Sequence, residues 1–218
     1  MRATRRAFTE LCRAGAGCLL ALLVLLSAGT ARAQSDSRQP YFLVATRGLP
    51  DPNFARSVVL ILPRKVVWAV VGVIINRPTD KPVQQLFAHA PAFKKPADTA
   101  FFGGPVDVDQ PSLILHENVP GPDALPILDD LYFSMYPPTV LNEVASAKPD
   151  AQIRVYLGRS QWSSEQLRDE TEEGSWYVEP ADPAMIFSAD PARLWNTLVN
   201  RGILAQQTAH PTEAALWR

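Results

Sequence analysis

Residues 66–75 read Val-Val-Trp-Ala-Val-Val-Gly-Val-Ile-Ile, an unbroken apolar run dominated by β-branched side chains. A strand with one wet face shows polar residues at alternate positions, so this run predicts a strand buried on both faces. Such a strand needs a sheet covered by further layers, which in turn requires helices elsewhere in the chain. Residues 57–62 form a second β-rich run, separated from the first by the break Pro63-Arg64-Lys65. The two are read as neighbouring strands.

The rest of the chain supplies the covering layers. Short β-rich runs are expected at 41–46, 100–102, 111–116, 131–134, 153–157 and 176–179, and helices at 83–89, 138–147, 163–173, 182–187 and 192–201. All 20 prolines lie beyond residue 39 and fall mostly between the apolar runs, as in Gly48-Leu49-Pro50-Asp51-Pro52. They therefore mark turns. With 47% hydrophobic and 20% charged residues, the chain can fill one ordinary core and is not disordered. The expected fold is a single α/β domain with a mixed β-sheet packed against helices.

The first 33 residues have the layout of a signal peptide: a basic start, an apolar run at 18–26, and Ala31-Arg32-Ala33 before Gln34. The apolar run is about half of the ~20 residues that a membrane span requires. Thr4-Arg5-Arg6-Ala7-Phe8 fits a twin-arginine export signal, and the general secretory route fits equally. Residues 34–40 then form a polar tether to a domain at 41–218. The expected location is periplasmic or secreted, with a cytoplasmic alternative if translation starts elsewhere.

Removing the leader changes the chemistry available. It takes both cysteines, Cys12 and Cys18, so disulfides and thiolate metal sites are excluded from the mature domain. It also takes five Lys/Arg and one acid, leaving 16 basic against 21 acidic residues, a net charge near −5. A net-acidic body without a basic block argues against a nucleic-acid surface and leaves a protein or small molecule as the expected partner. His89, His116 and His210 show no metal-binding spacing, and no cofactor motif is present.

A set of short blocks runs in order from Tyr41 to about Gly202. The blocks are Tyr41-Phe42-Leu43-Val44-Ala45 with Gly48-Leu49 and Asp51-Pro52, then Phe54 with Arg56-Ser57-Val58-Val59. Gly72-Val73-Ile74-Ile75-Asn76-Arg77-Pro78, Phe102-Gly103-Gly104-Pro105-Val106 and Leu115-His116 follow. Leu157-Gly158, Trp162, Gln166-Leu167, Trp176, Pro180-Ala181-Asp182, Phe187 and Leu194-Trp195 complete the set. Blocks in this order resemble the YqgE/AlgH family, also called UPF0301; the resemblance implies one α/β domain and no established reaction, and the family's regulatory label implies cytoplasmic control of transcription as a further alternative. This chain departs from the family pattern at 63–72, which is more apolar, and between Gly158 and Gln166.

Several residues merit weighing as sites. Asn76 and Arg77 leave the most apolar strand where α/β sheets build crevices, or else serve turn chemistry, with Arg77 pairing to an acid such as Asp80. Gly103-Gly104 could offer amides to an anion, or simply form a tight turn. His116 is a strand-end histidine. Ser163-Ser164-Glu165-Gln166 reads as a helix cap, with Trp162 packing on Leu167. Gly158-Arg159-Ser160-Gln161 follows a strand and precedes a helix, like a nucleophile elbow, with His210 as base; a loop serine is the simpler reading. The acidic run Asp169-Glu170 and Glu172-Glu173 reads as a solvated face. The candidate ligand-binding set is thus Asn76, Arg77, Gly103, Gly104, His116, Trp162 and Gln166. The alternative is a serine hydrolase using Ser160 and His210.

Overall fold

The computed structural model describes residues 40–63, 69–87, 98–116, 124–135, 137–148 and 151–209. The leader, the 64–68 segment with Trp68, His89 and His210 lie outside the described residues.

Three antiparallel strands open the domain: β1 (Tyr41–Ala45), β2 (Val58–Ile61) and β3 (Ala69–Ile74). Val73 and Ile74 are wholly buried, as the apolar run predicted. Then come β4 (Pro78–Pro82), α1 (Val83–Leu86), β5 (Thr99–Phe102), β6 (Val106–His116), β7 (Leu125–Leu128), β8 (Leu131–Ser134) and α2 (Pro137–Ser146). β9 (Ile153–Ser163), α3 (Ser164–Glu172), β10 (Trp176–Pro180), α4 (Pro183–Ile186) and α5 (Pro191–Ala209) complete the chain. The strands form one curled, mostly antiparallel sheet in the order β10-β1-β2-β3-β9-β6-β8-β7, with β5 parallel to β9 and β4 beside β5. The fold is the mixed α/β single domain expected from sequence.

The sheet separates two apolar layers. Leu167, Ile186, Leu194, Trp195, Leu198 and Val199 of α3 to α5 pack with β1, β2 and β3. Val83 of α1, Phe87 just after it, and Val140 and Val144 of α2 pack with Leu113, Leu115, Val155 and Leu157. β9 contributes alternate residues to each layer, the period-2 signature of a strand between two cores.

β9 also departs most from expectation. The strand does not stop at Leu157; it continues through Gly158 to Ser163 and pairs with β3, Ser160 facing Gly72 and Trp162 facing Val70. Gly158 has φ +72, so the chain bends there and resumes. Ser160 is therefore a fully buried strand residue, not a loop serine, and the elbow does not form. Two smaller differences concern element limits. The prolines of β4 and β7 suggest turns, yet both segments are strands at the margin of the sheet, where a missing N–H costs little. α5 runs eight residues past the expected end at 201: Gly202 against Tyr177 and half-buried Ile203 still face the core, and the helix then continues exposed over 204–208.

Glycines permit the contact that holds the sheet together. A Cβ on Gly104, whose φ is +148, would sit 2.4 Å from the backbone of Arg159. A Cβ on Gly158 would sit 2.4 Å from the Gly104 carbonyl oxygen. Gly104→Ala is expected to destabilise the domain by roughly 2–5 kcal/mol, combining left-handed strain with a backbone clash. Gly48→Ala, which meets nothing within 4 Å, should stay within about 0.5 kcal/mol of wild type. Urea midpoints of the two variants check the contrast.

Tyr156 lies in the same strand, fully buried, with its ring centroid 5.8 Å from that of Phe101. Burial raises its phenol above the ordinary value of 10.0, and the Arg154 cation only partly opposes the shift. A pKa raised by folding contributes stability below the unfolded value and loses it as pH rises above about 10. Absorbance titration of wild type against Tyr156→Phe should therefore show no Tyr156 phenolate until unfolding, and Tyr156→Phe should lose less stability above about pH 10.

Candidate functional site

Three of the seven candidate side chains, Asn76, Arg77 and Trp162, converge on the loop at 51–57, and Gln166 joins them only through Glu170. Asn76, just after β3, accepts from Val58 N through Oδ1 at 2.8 Å and donates from Nδ2 to the Arg56 carbonyl at 3.0 Å. Arg77 donates to the carbonyls of Asn53 at 2.7 Å and Ala55 at 2.9 Å, and its guanidinium lies 5.5 Å from the Phe102 ring centroid. The turn reading of Asn76 holds. The expected pairing of Arg77 with Asp80 does not, because the carbonyls of 53 and 55 face the guanidinium directly. Burial lowers the Arg77 pKa below its ordinary value while Asp51 opposes the shift; the group stays cationic.

The loop is fixed from within as well. Asp51 Oδ1 accepts from Asn53 N at 2.8 Å, and the Ala55 and Phe54 amides return to the Asp51 carbonyl at 2.7 and 3.0 Å. Phe54 then points inward, with ring centroids 5.3 Å from Trp162 and 5.6 Å from Trp176. The two tryptophans meet edge to face at 6.0 Å, an arrangement favoured by the ring quadrupoles.

Both indole N–H groups donate to one carboxylate oxygen, Glu170 Oε2, at 3.1 Å from Trp162 and 2.9 Å from Trp176. Gln166 Nε2 donates to Glu170 Oε1 at 2.8 Å. Glu170 therefore does not belong to a solvated acidic face; it ties α3 to β9 and β10. The Ser163 cap forms as expected, its Oγ accepting from Gln166 N at 3.0 Å, but the Gln166 side chain turns to Glu170 instead of completing the capping box.

The remaining candidates serve the sheet and a turn. Gly103 N donates to the Leu157 carbonyl at 2.8 Å, and its own carbonyl accepts from Ile74 N at 2.9 Å and Ser160 Oγ at 3.2 Å. These groups serve the sheet and not an anion cradle. His116 N donates to the carbonyl of Gln152, just before β9 and five residues from Leu157, so about 16 Å of extended chain separates His116 from Gly103. Its Nε2 lies 2.9 Å from Asp130 Oδ2 in the turn between β7 and β8. The structure keeps His116 apart from the other candidates, whereas Gly103 follows Phe102, whose N–H donates to the Arg77 carbonyl at 2.8 Å, with its own polar groups spent on the sheet.

Two residues that sequence reasoning missed complete the loop surface. Exposed Arg47 and Arg56 place their guanidinium carbons 5.6 and 5.7 Å from the centroid of the Trp195 ring, and Arg47 Nη2 donates to Asn200 Oδ1 at 2.8 Å. Trp195 is anchored by its Nε1, which donates to the Ala45 carbonyl at 2.7 Å. Arg56 has φ +57, a backbone conformation that residues with a Cβ seldom adopt. Among the described residues, no group of three or more His, Cys, Asp or Glu could hold a metal, and no helix is long and apolar enough to cross a membrane.

Residues 42–204 match the AlgH-like family, DUF179. The chain belongs to that family. It is 34% identical over 183 residues to a UPF0301 protein of Thermobifida fusca, covering 80% of this chain and 92% of that protein. A UPF0301 protein of Streptomyces coelicolor is 33% identical over 189 residues, with the same two coverages. The solution structure of the AlgH protein of Pseudomonas aeruginosa superposes with TM-score 0.60 at 25% identity, covering 81% of this chain and 95% of that one. A crystal structure from Corynebacterium diphtheriae, TM-score 0.61 at 24% identity, covers 74% and 85% and shares the fold. The family match spans the clasped loop, the glycine contact and the tryptophan pair alike.

Glu170→Ala leaves two indole donors without their acceptor and should cost about 2–4 kcal/mol. Asn76→Ala leaves Val58 N and Arg56 O unpaired at a cost of about 1–3 kcal/mol. Exposed Glu172→Ala should remain within about 0.5 kcal/mol of wild type. Chemical denaturation, with near-UV circular dichroism reporting the tryptophan pair, checks the ranking.

Proposed function

We propose that the chain is an exported, non-enzymatic AlgH-like domain that acts by binding a protein or a small ligand in the cell envelope. Export is supported by the signal-peptide layout of residues 1–33. The binding reading is carried by one observation: the loop at 46–57 is held rigid by Asn76, Arg77 and the Phe54–tryptophan packing while it presents Arg47 and Arg56 to solvent. Rigid presentation of charged side chains lowers the ordering cost of association.

A hydrolytic reading finds no comparable support. Ser160 is fully buried, and its Oγ hydrogen-bonds to the Gly103 carbonyl. A nucleophile must reach both a base and a substrate.

Two measurements test the proposal together. Protein recovered from cell fractions should begin at Gln34 and appear in the periplasm or medium; an intact Met1 chain in the cytosol overturns export. A serine-reactive fluorophosphonate probe should label neither wild type nor Ser160→Ala; labelling of wild type that disappears in Ser160→Ala overturns the non-enzymatic reading.

A further inference from the structure

The arginine pair over Trp195 specifies a ligand chemistry for the proposed binding domain, and the site it defines rests on that binding role. We propose that Arg47, Arg56 and Asn200 form a binding site for a phosphate-type dianion, carried by a small phosphomonoester or by a lipid headgroup.

Three observations carry this. First, the exposed Arg47 and Arg56 set their guanidinium carbons 5.6 and 5.7 Å from the centroid of one buried ring, Trp195, in a net-acidic domain. Like charges held together repel, and an oxyanion between them relieves the repulsion. Second, other arginines of the domain are differently engaged. Arg159 pairs with Asp107, Arg168 with Asp169 and Arg193 with Asp190, while Arg77 and Arg154 donate to backbone carbonyls. Among the described residues, Arg47, Arg56 and the exposed Arg201 beside Asn200 have no carboxylate partner, and Asn200 is the hydrogen-bond partner of Arg47. Third, the pair is positioned before any ligand arrives. Arg56 is held at φ +57 by a loop whose Arg56 carbonyl accepts from Asn76, and Arg47 is steadied by Asn200.

The geometry fits an oxyanion. A cation–π contact consumes no N–H group, so apart from the Arg47 Nη2 bond to Asn200 the guanidinium donors, which can grip phosphate in a fork, have no hydrogen-bond acceptor among the described residues. The Asn200 amide nitrogen adds a neutral donor, because its Oδ1 already accepts from Arg47. Two cations balance one dianion with three acceptor oxygens. They do not make a nucleic-acid stripe, which needs many phosphate contacts.

The test uses the full-length chain, 15N-labelled and titrated with sodium phosphate against sodium chloride at matched ionic strength, with the Trp195 indole N–H signal followed by NMR. In parallel, flotation with vesicles of phosphatidylcholine with or without phosphatidic acid is measured. A saturable shift with phosphate alone, weakened about tenfold in Arg47→Gln and in Arg56→Gln but unchanged in Arg168→Gln, supports the site. If vesicles do not bind, the source is a soluble phosphomonoester. If phosphatidic acid recruits the protein and both Gln variants abolish recruitment, the source is a headgroup. Should Arg56→Gln fail to fold, Arg56→Lys keeps the charge without the fork and should lose several-fold affinity.

A chloride-like response to phosphate with no vesicle binding overturns the proposal, as does phosphate binding indifferent to both arginines. That result leaves the binding reading intact if the chain is processed and unlabelled by the serine probe. Ser160-dependent labelling sinks the binding reading whatever the arginines do.

Discussion

Three stretches of backbone meet at Gly103, Gly104 and Gly158 with no room for a side chain between them, and the rest of the domain depends on that meeting. The Gly103 carbonyl accepts from Ile74 N and from Ser160 Oγ, while Gly103 N donates to Leu157 O. One residue thus ties β3, β5 and both halves of β9. A Cβ on Gly103 would lie 2.3 Å from the Gly158 carbonyl oxygen, so the approach exists only because that atom is missing. Without it, β9 could not run on from its pairing with β6 to its pairing with β3, and the sheet would divide where it now curls.

The clasped loop inherits its position from this junction. β3 delivers Asn76 and Arg77 directly to the loop carbonyls, and β9 delivers Trp162 to the ring of Phe54. Glu170 then closes the arrangement from α3 by accepting from both indoles. The candidate residues are therefore structural supports for a surface formed by others. What they hold outward is the loop that carries the exposed Arg56, with Arg47 beside it on Trp195.

Particular residues show how far the sequence could be read. The apolar stretch ending at Ile75 predicted a doubly buried strand, and Ser163 predicted a helix cap; both depend on near neighbours alone. Gly158 misled because a glycine after an apolar run commonly ends a strand. The alternation beyond it, with Ser160 and Trp162 inward and Gln161 and Ser163 outward, was the available sign that the strand continues. The prolines of β4 and β7 misled in the same direction, since proline at a sheet margin resembles proline in a turn. Glu170 looked solvated because nothing local marks it as the acceptor for Trp176 on the next strand.

By itself the sequence determined the fold class, the family and the absence of thiol chemistry after residue 18, because these depend on composition, hydrophobic period and block order along the chain. Only the tertiary structure decided that Ser160 is buried, that Glu170 holds two tryptophans, and that Arg47 and Arg56 meet on Trp195. The last contact joins the first loop of the domain to its final helix. Hydrophobic periodicity is written in neighbouring residues, whereas the company a polar side chain keeps is set by which distant backbones the fold brings within hydrogen-bonding reach.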